Sequence, residues 1–383
     1  MTIIDPIELA QELIRCPSIT PADAGALKVL QKHLESLGFK CQHMTFSHKN
    51  TADVDNLYAR FGSAGKNLCF AGHTDVVPVG DEGAWTVDPF EAKIKNRYLI
   101  GRGVSDMKGA IAAWVAAASI YLSENKNKPI NGSLSLLITG DEEGPSINGT
   151  KKVLKWLKES NREKIDACIV GEPTNPKHLG EMIKIGRRGS INFNLTVFGV
   201  QGHSAYPHLA DNPIPKLMEI LGKIKKKPLD KGTEYFDSSN LEITSIDTGN
   251  IAANVIPAKV TAKMNIRFND LHTGKSLTNW MKEICDEITS DYDLTADCSG
   301  ESFITKPGKL SDLVMNAVEN ITGVEPVLST SGGTSDARFI KDYCPVVEFG
   351  LTNETAHKVD ERARIEDIEM LTKIYLEIIR SYF

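Results

Sequence analysis

Hydrophobic positions change rhythm twice along the chain. Up to about residue 182, helical and strand patterns alternate, with helices expected at Asp5–Arg15 and Ala24–Leu37 and short apolar strands after them. Three apolar runs share one ending. Leu68-Cys69-Phe70-Ala71 leads into Gly72-His73-Thr74-Asp75, Leu134 to Thr139 into Gly140-Asp141-Glu142-Glu143-Gly144, and Ala167 to Val170 into Gly171-Glu172-Pro173. In open α/β sheets, ligand sites lie just beyond the carboxyl ends of strands.

From about Ile183 the texture differs. Ile191, Phe193, Leu195 and Val197 alternate with mostly polar neighbours, as in a half-buried strand, and Ile214, Leu217, Leu221 and Ile224 then follow helical spacing. Leu241-Glu242-Ile243 opens a second strand. Val260, Ala262, Met264, Ile266 and Phe268 alternate through a third. Leu277, Met281, Ile284 and Ile288 form another helical stripe, and Leu294 to Cys298 a last strand. This β-α-β-β-α-β order is that of a ferredoxin-like unit. After Phe303 the first texture returns, with a helix at Leu310–Thr322, an apolar strand at Val346-Val347-Glu348-Phe349 and a closing helix at Ile365–Tyr382. The expected fold is therefore α/β: a mixed-sheet domain from residues 1–182 and 299–383, with an α+β unit inserted at 183–298.

Bulk properties narrow the function. A chain of 383 residues suits two domains, and 41% hydrophobic with 25% charged residues is ordinary globular usage. The net charge is −6, and the densest basic run, Lys225-Lys226-Lys227, closes a helical stripe and reads as a solvated face. Nucleic acid is not an expected partner. Seven scattered cysteines with no C-x-x-C spacing argue against a disulfide framework or a cysteine-type zinc site and suit a reducing cytoplasm. The start, MTIIDPIELAQEL, reads as an amphipathic helix and not a signal peptide. Ala110 to Leu122 is alanine-rich and shorter than the ~20 residues of a membrane span, so a core helix is expected and no membrane contact. Thr273-Gly274-Lys275-Ser276 resembles the end of a phosphate-binding loop, but Asn269 stands where its first glycine belongs.

The chemistry lies at the strand ends. A histidine such as His73 could bind metal while Asp75 holds its other ring nitrogen, although H-x-D alone is equally a turn sequence. Asp106 precedes the alanine-rich helix, where a helix-capping acid is the plain alternative. Asp141, Glu142 and Glu143 repel one another unless something positive compensates, and buried carboxylates are paired or coordinate metal. Glu172 repeats that theme, and His357 follows the last core strand. Two histidines and several carboxylates without cysteine suit zinc, used as a carboxylate-bridged pair.

These motifs, with Gly101-Arg102-Gly103-Val104-Ser105-Asp106-Met107-Lys108-Gly109, resemble those of the co-catalytic zinc family of succinyl-diaminopimelate desuccinylases, acetylornithine deacetylases, aminoacylases and carboxypeptidase G. The resemblance spans nearly the whole chain and implies a zinc-peptidase-like catalytic domain carrying a lid and dimerisation domain, hence a homodimer. It implies two zinc ions per subunit, with cobalt as a substitute. Asp106 would bridge them, His73 and Glu172 would complete one site, and Glu143 and His357 the other. Asp75 would orient His73, and Glu142 would be the general base. His203, in Gly202-His203-Ser204-Ala205, resembles the lid histidine that reaches the substrate carbonyl across the dimer; on sequence alone it is equally a turn residue.

A chain of net charge −6 needs local cations for an anionic substrate. Arg187 and Arg267 are candidates, since arginine bonds carboxylates in bidentate fashion. Ser331-Gly332-Gly333-Thr334-Ser335-Asp336-Ala337-Arg338-Phe339, Arg187-Arg188-Gly189-Ser190 and Asn254-Val255-Ile256-Pro257 most resemble the desuccinylase branch, although that loop usually carries glycine where Ala337 stands. Gly332 and Gly333 could let backbone amides approach a substrate carboxylate or simply form a turn, and Gly333, Thr334 and Asn254 are candidate substrate contacts. The resemblance thus implies hydrolysis of a small dicarboxylate amide, N-succinyl-LL-2,6-diaminopimelate, in lysine synthesis. Acetylornithine deacetylase or a related aminoacylase or dipeptidase is the alternative. A non-catalytic, metal-dependent binding module is the more remote one.

Overall fold

The computed structural model describes residues 2–63, 65–126, 130–159, 163–226 and 228–383; Lys227, last of the basic run, lies outside them. The chain forms two compact units: Met1–Ile185 with Thr305–Ser329 and Ser335–Phe383, and Gly186–Ile304 with Thr330–Thr334.

The first unit is built on an eight-stranded mixed sheet. Its order is Lys40–Phe46, Val54–Phe61, Gly132–Thr139, Lys66–His73, Ala167–Val170, Val346–Glu348, Met182–Lys184 and Val327–Ser329. The four strands from Gly132–Thr139 to Val346–Glu348 run parallel. All eight residues of Gly132–Thr139 are buried, because a central strand is covered on both faces and cannot alternate. The alanine-rich stretch is the helix Gly109–Glu124, and its buried positions run round almost its whole circumference. It packs on the closing helix Ile365–Tyr382, where the rings of Phe70, Trp114 and Tyr375 lie 4.9 to 5.7 Å apart. Among the described residues no helix is long and apolar enough to cross a membrane.

Met182–Lys184, at the point where the sequence texture changes, is a strand of this sheet; the second unit begins at Gly186. Within the first unit the exit and return of the chain adjoin, since Thr305 N donates to Ile185 O at 2.7 Å. A helix, Thr150–Glu159, and a small sheet of Lys93–Lys95, Tyr98–Ile100 and Arg362–Arg364 had no counterpart in the hydrophobic pattern.

The second unit is a four-stranded antiparallel sheet in the order Asn240–Asp247, Lys259–Phe268, Gly189–Phe198, Tyr292–Gly300, with helices Pro213–Lys226 and Gly274–Asp286. This is the ferredoxin-like arrangement. One sheet face carries Ile191, Phe193, Leu195 and Val197 beside Val260, Ala262, Met264, Ile266 and Phe268. All are buried against Leu217, Ile220, Leu221, Ile224, Leu277 and Met281 of the helices. Thr273-Gly274-Lys275-Ser276 is a capping box: Ser276 N donates to Thr273 Oγ1 and Thr273 N to Ser276 Oγ.

Candidate active site

The parallel strands end together. His73 pairs in register with Thr139, and Ala71 with Val170, so His73, the Asp141–Glu143 turn and Glu172 leave one edge of the sheet as neighbours. The strand-ending glycines make room there. A Cβ on Gly72 or Gly171 would come within 2.6 Å of Met107 Cε, which packs under the turn that carries Asp106.

His73 is buried, and its Nδ1–H donates to the carbonyl oxygen of Asp75 at 2.9 Å. That bond fixes the proton on Nδ1 and turns Nε2 into the site. The carboxylate of Asp75 lies farther off, 3.7 Å from Nδ1, and does something the sequence did not suggest. It accepts the amides of Glu142 (3.3 Å) and Glu143 (3.0 Å), so it anchors the acidic turn. The three acids of that turn divide their tasks. Asp141 accepts from Ile147 N and Asn148 N and closes the turn, leaving Glu142 and Glu143 to face the cluster.

Asp106 is not a helix cap. Its backbone is non-helical (φ −125°, ψ 91°), and it presents one carboxylate oxygen to each histidine. Oδ1 lies 3.1 Å from His73 Nε2, and Oδ2 lies 3.2 Å from His357 Nε2. Glu172 Oε1 is 3.7 Å from His73 Nε2, and Glu143 Oε1 is 2.7 Å from His357 Nε2. His73, Asp106 and Glu172 thus converge as one potential metal-ion group, and Asp106, Glu143 and His357 as a second sharing Asp106. Glu142 lies within reach of His73 and Glu143.

Charges follow from this crowding. Burial opposes a charged His73, but the carboxylates of Asp106, Glu142 and Asp75 outweigh it and raise its pKa well above the ordinary value. His357 is pushed up to about 10, first by its hydrogen bonds to Asp106 and Glu143. For Asp106, burial is outweighed by both imidazoles, which hold its carboxyl below the usual range. Burial, with Glu172 next, raises Glu142 well above its usual value, and burial raises Asp75 to about 6. Asp106, Glu142, Glu143 and Glu172 set four carboxyl groups against two imidazoles. A buried surplus of that kind calls for cations. The all-nitrogen-and-oxygen donor set, with one carboxylate between two histidines, fits two divalent ions such as zinc.

The other expected residues lie in the second unit. His203 is exposed on a two-residue ladder opposite Val255, and its Nδ1 accepts from Ala205 N at 3.0 Å. The carbonyl of Asn254 accepts from Ser204 N. Arg187 is buried and donates to Gly333 O at 3.1 Å, beside Gly332, whose φ of +102° favours glycine. Thr334 belongs to the same short segment. Arg267 is half-buried on Lys259–Phe268, and burial, then the charge of Arg188, lowers its pKa. The reading of the sequence missed Glu361, a buried acid whose only trace is its place four residues after His357, and it left Arg102 without a role.

Comparison with known proteins agrees with this architecture. A succinyl-diaminopimelate desuccinylase of Rhodospirillum centenum (strain ATCC 51521 / SW) is 58% identical over 379 residues, 99% of this chain and 97% of that protein. The M20 family metallo-carboxypeptidase Sso-CP2 from Sulfolobus solfataricus has the same fold, with a TM-score of 0.77 at 21% identity over 99% of each chain. A dinuclear metal binding peptidase of the M20 family from Bacillus subtilis superposes with a TM-score of 0.69 at 15% identity, over 98% of this chain and 97% of that one. Residues 69–381 match peptidase family M20/M25/M40, and the chain belongs to that family.

Proposed function

We propose that this protein is a succinyl-diaminopimelate desuccinylase, a metal-dependent amidohydrolase that converts N-succinyl-LL-2,6-diaminopimelate and water into succinate and LL-2,6-diaminopimelate. The observation that carries this is Asp106 set between His73 and His357 with Glu142 adjoining, in a chain 58% identical to a relative of that name. His73, Asp106 and Glu172 would hold one zinc ion, and Asp106, Glu143 and His357 the other, with cobalt as a substitute. Such ions supply an acidified water and stabilise negative charge on the carbonyl oxygen.

Glu142 takes the proton from the water that attacks the amide carbon, then delivers it to the departing nitrogen as the C–N bond breaks, leaving a carboxylate and an amine. Asp75 holds Glu142 in place through the backbone of the turn. His203 is the proposed donor to the developing oxyanion, and Arg187, Asn254, Arg267, Gly333 and Thr334 the proposed contacts of the substrate's carboxylates. The lid and dimerisation role of residues 183–298, the homodimer and the cytoplasmic location rest on the family resemblance, with the seven free cysteines in support of the last. Nucleic acid and membranes have no part in the reading.

The deciding experiment strips metal with a chelator, restores zinc and measures turnover of N-succinyl-LL-diaminopimelate beside N-acetylornithine. Zinc-dependent turnover of the succinyl substrate is expected. Preference for acetylornithine would establish the deacetylase instead. Tight zinc binding without turnover of any acyl amino acid would leave a binding module.

A further inference from the structure

Behind Asp106 and His357 lies a buried ion pair that touches neither the cluster's ligand atoms nor solvent. Arg102 is 1% exposed and Glu361 is fully buried, and Arg102 Nη1 donates to Glu361 Oε2 at 2.8 Å. Beyond that bond, Glu361 holds one and Arg102 the other of the two segments that carry candidate ligands. Glu361 Oε1 accepts the amides of Ser105 (2.9 Å) and Asp106 (3.2 Å). Arg102 donates to the carbonyls of Lys358 (3.2 Å), His357 (3.5 Å) and Pro78 (3.2 Å), and its guanidinium lies 5.2 Å from the centroid of the Trp85 ring.

Both segments need holding. His357 has φ +63° and Asp360 φ +56°, left-handed conformations that are uncommon outside glycine. Asp106 sits in a non-helical kink at the entrance of a helix. Taking two charges out of water is costly, and an apolar pair of similar volume often serves stability as well or better. A buried pair that bonds the backbone beside two ligand candidates is therefore explained by what it positions.

We infer that Arg102 and Glu361 are positioning residues that lock the Asp106 turn to the His357 turn and so set the spacing of the ligands around the second ion. This rests on the proposed reading of Asp106 and His357 as metal ligands. The arginine spans three carbonyls with one planar fork, which lysine cannot reproduce.

The test is calorimetric titration of the chelator-stripped full chain with Zn²⁺, together with the absorption spectrum of the Co²⁺-loaded protein and steady-state kinetics. In the paired variant Arg102→Met with Glu361→Met, the metal-free melting temperature stays within a few degrees of wild type. Affinity for one of two zinc ions falls roughly 10- to 100-fold, the cobalt spectrum shifts, and kcat drops while KM holds. Two ions bound with wild-type affinities and spectrum would overturn the inference. If the pair does not fold, Glu361→Gln decides. Its amide cannot at once accept from Arg102 and from both turn amides, and the same selective loss is expected; an unchanged isotherm overturns the inference. Asp106→Ala is the control. Wild-type zinc binding by that variant would remove the metal-centre reading itself, independently of Arg102 and Glu361.

Discussion

The molecule's two main sheets express their sequences in opposite ways. In the second unit, Gly189–Phe198 alternates: Ile191, Phe193, Leu195 and Val197 are buried while Asn192, Asn194 and Phe198 are exposed. In the first unit, Gly132–Thr139 is buried at every position. A sheet with one covered face shows its period in the sequence, and a sheet covered on both faces hides it. The second kind leaves chemistry only one outlet, the strand ends, and there His73, Glu142, Glu143 and Glu172 collect. Periodicity marks the scaffold, and interruption of an apolar run by glycine and acid marks the site.

Substitutions can break this contrast at graded strengths. The largest effect is expected at a strand end: Glu142→Gln should lower kcat by roughly 10²- to 10⁴-fold, with zinc content unchanged by elemental assay. Full activity in that variant would separate the acidic turn from the reaction. Next come the strands themselves. Leu136→Ala and its neighbour Leu137→Ala should each cost about 2–5 kcal/mol in urea denaturation, because both lie in the two-faced strand. In the second unit Leu195→Ala should cost as much, whereas the adjacent exposed Asn194→Asp, facing Lys263, should stay within about 0.5 kcal/mol. A large loss at Asn194 would mean that this strand too is covered on both faces.

A smaller and pH-dependent effect is expected at Asp230 in the second unit. Its carboxylate accepts from Gly232 N, Ser239 N, Asn269 Nδ2 and His272 Nε2. Burial works to raise its pKa, but hydrogen bonding by the Ser239 side chain first, then by Gly232 N, Ser239 N and Asn269, brings it down to about 2. A folded-state value below the unfolded one stabilises the protein above pH ~4, and that contribution fades as pH falls toward 2. Asp230→Asn should cost about 1–3 kcal/mol at pH 6, with a difference from wild type that shrinks below pH 4 in urea titrations. A pH-independent difference would show that shape, and not charge, is what the four donors require.

Legibility in the sequence followed range. The closing helix Ile365–Tyr382 has the bounds its periodicity predicted, and the ferredoxin-like order of the second unit could be read from its alternating strands and two helical stripes. The convergence of His73, Asp106, Glu143, Glu172 and His357 was legible because each sits in a local motif at an element boundary. The work of the Asp75 carboxylate was not, since its partners lie 67 and 68 residues away and leave no spacing to detect. The Arg102–Glu361 pair, separated by 259 positions, left no trace for the same reason. The sheet around Tyr98 consists of three-residue strands, too short for any period to register.

The hydrogen bond from Thr305 to Ile185 has a consequence for how such a protein changes over time. Because the chain leaves and re-enters the first unit at adjoining points, the 119 residues of Gly186–Ile304 amount to a cassette, replaceable by a tight connection or by another fold without retracing the strands that bear the acids. Change can then accumulate in the cassette while the strands that bear the acids stay as they are.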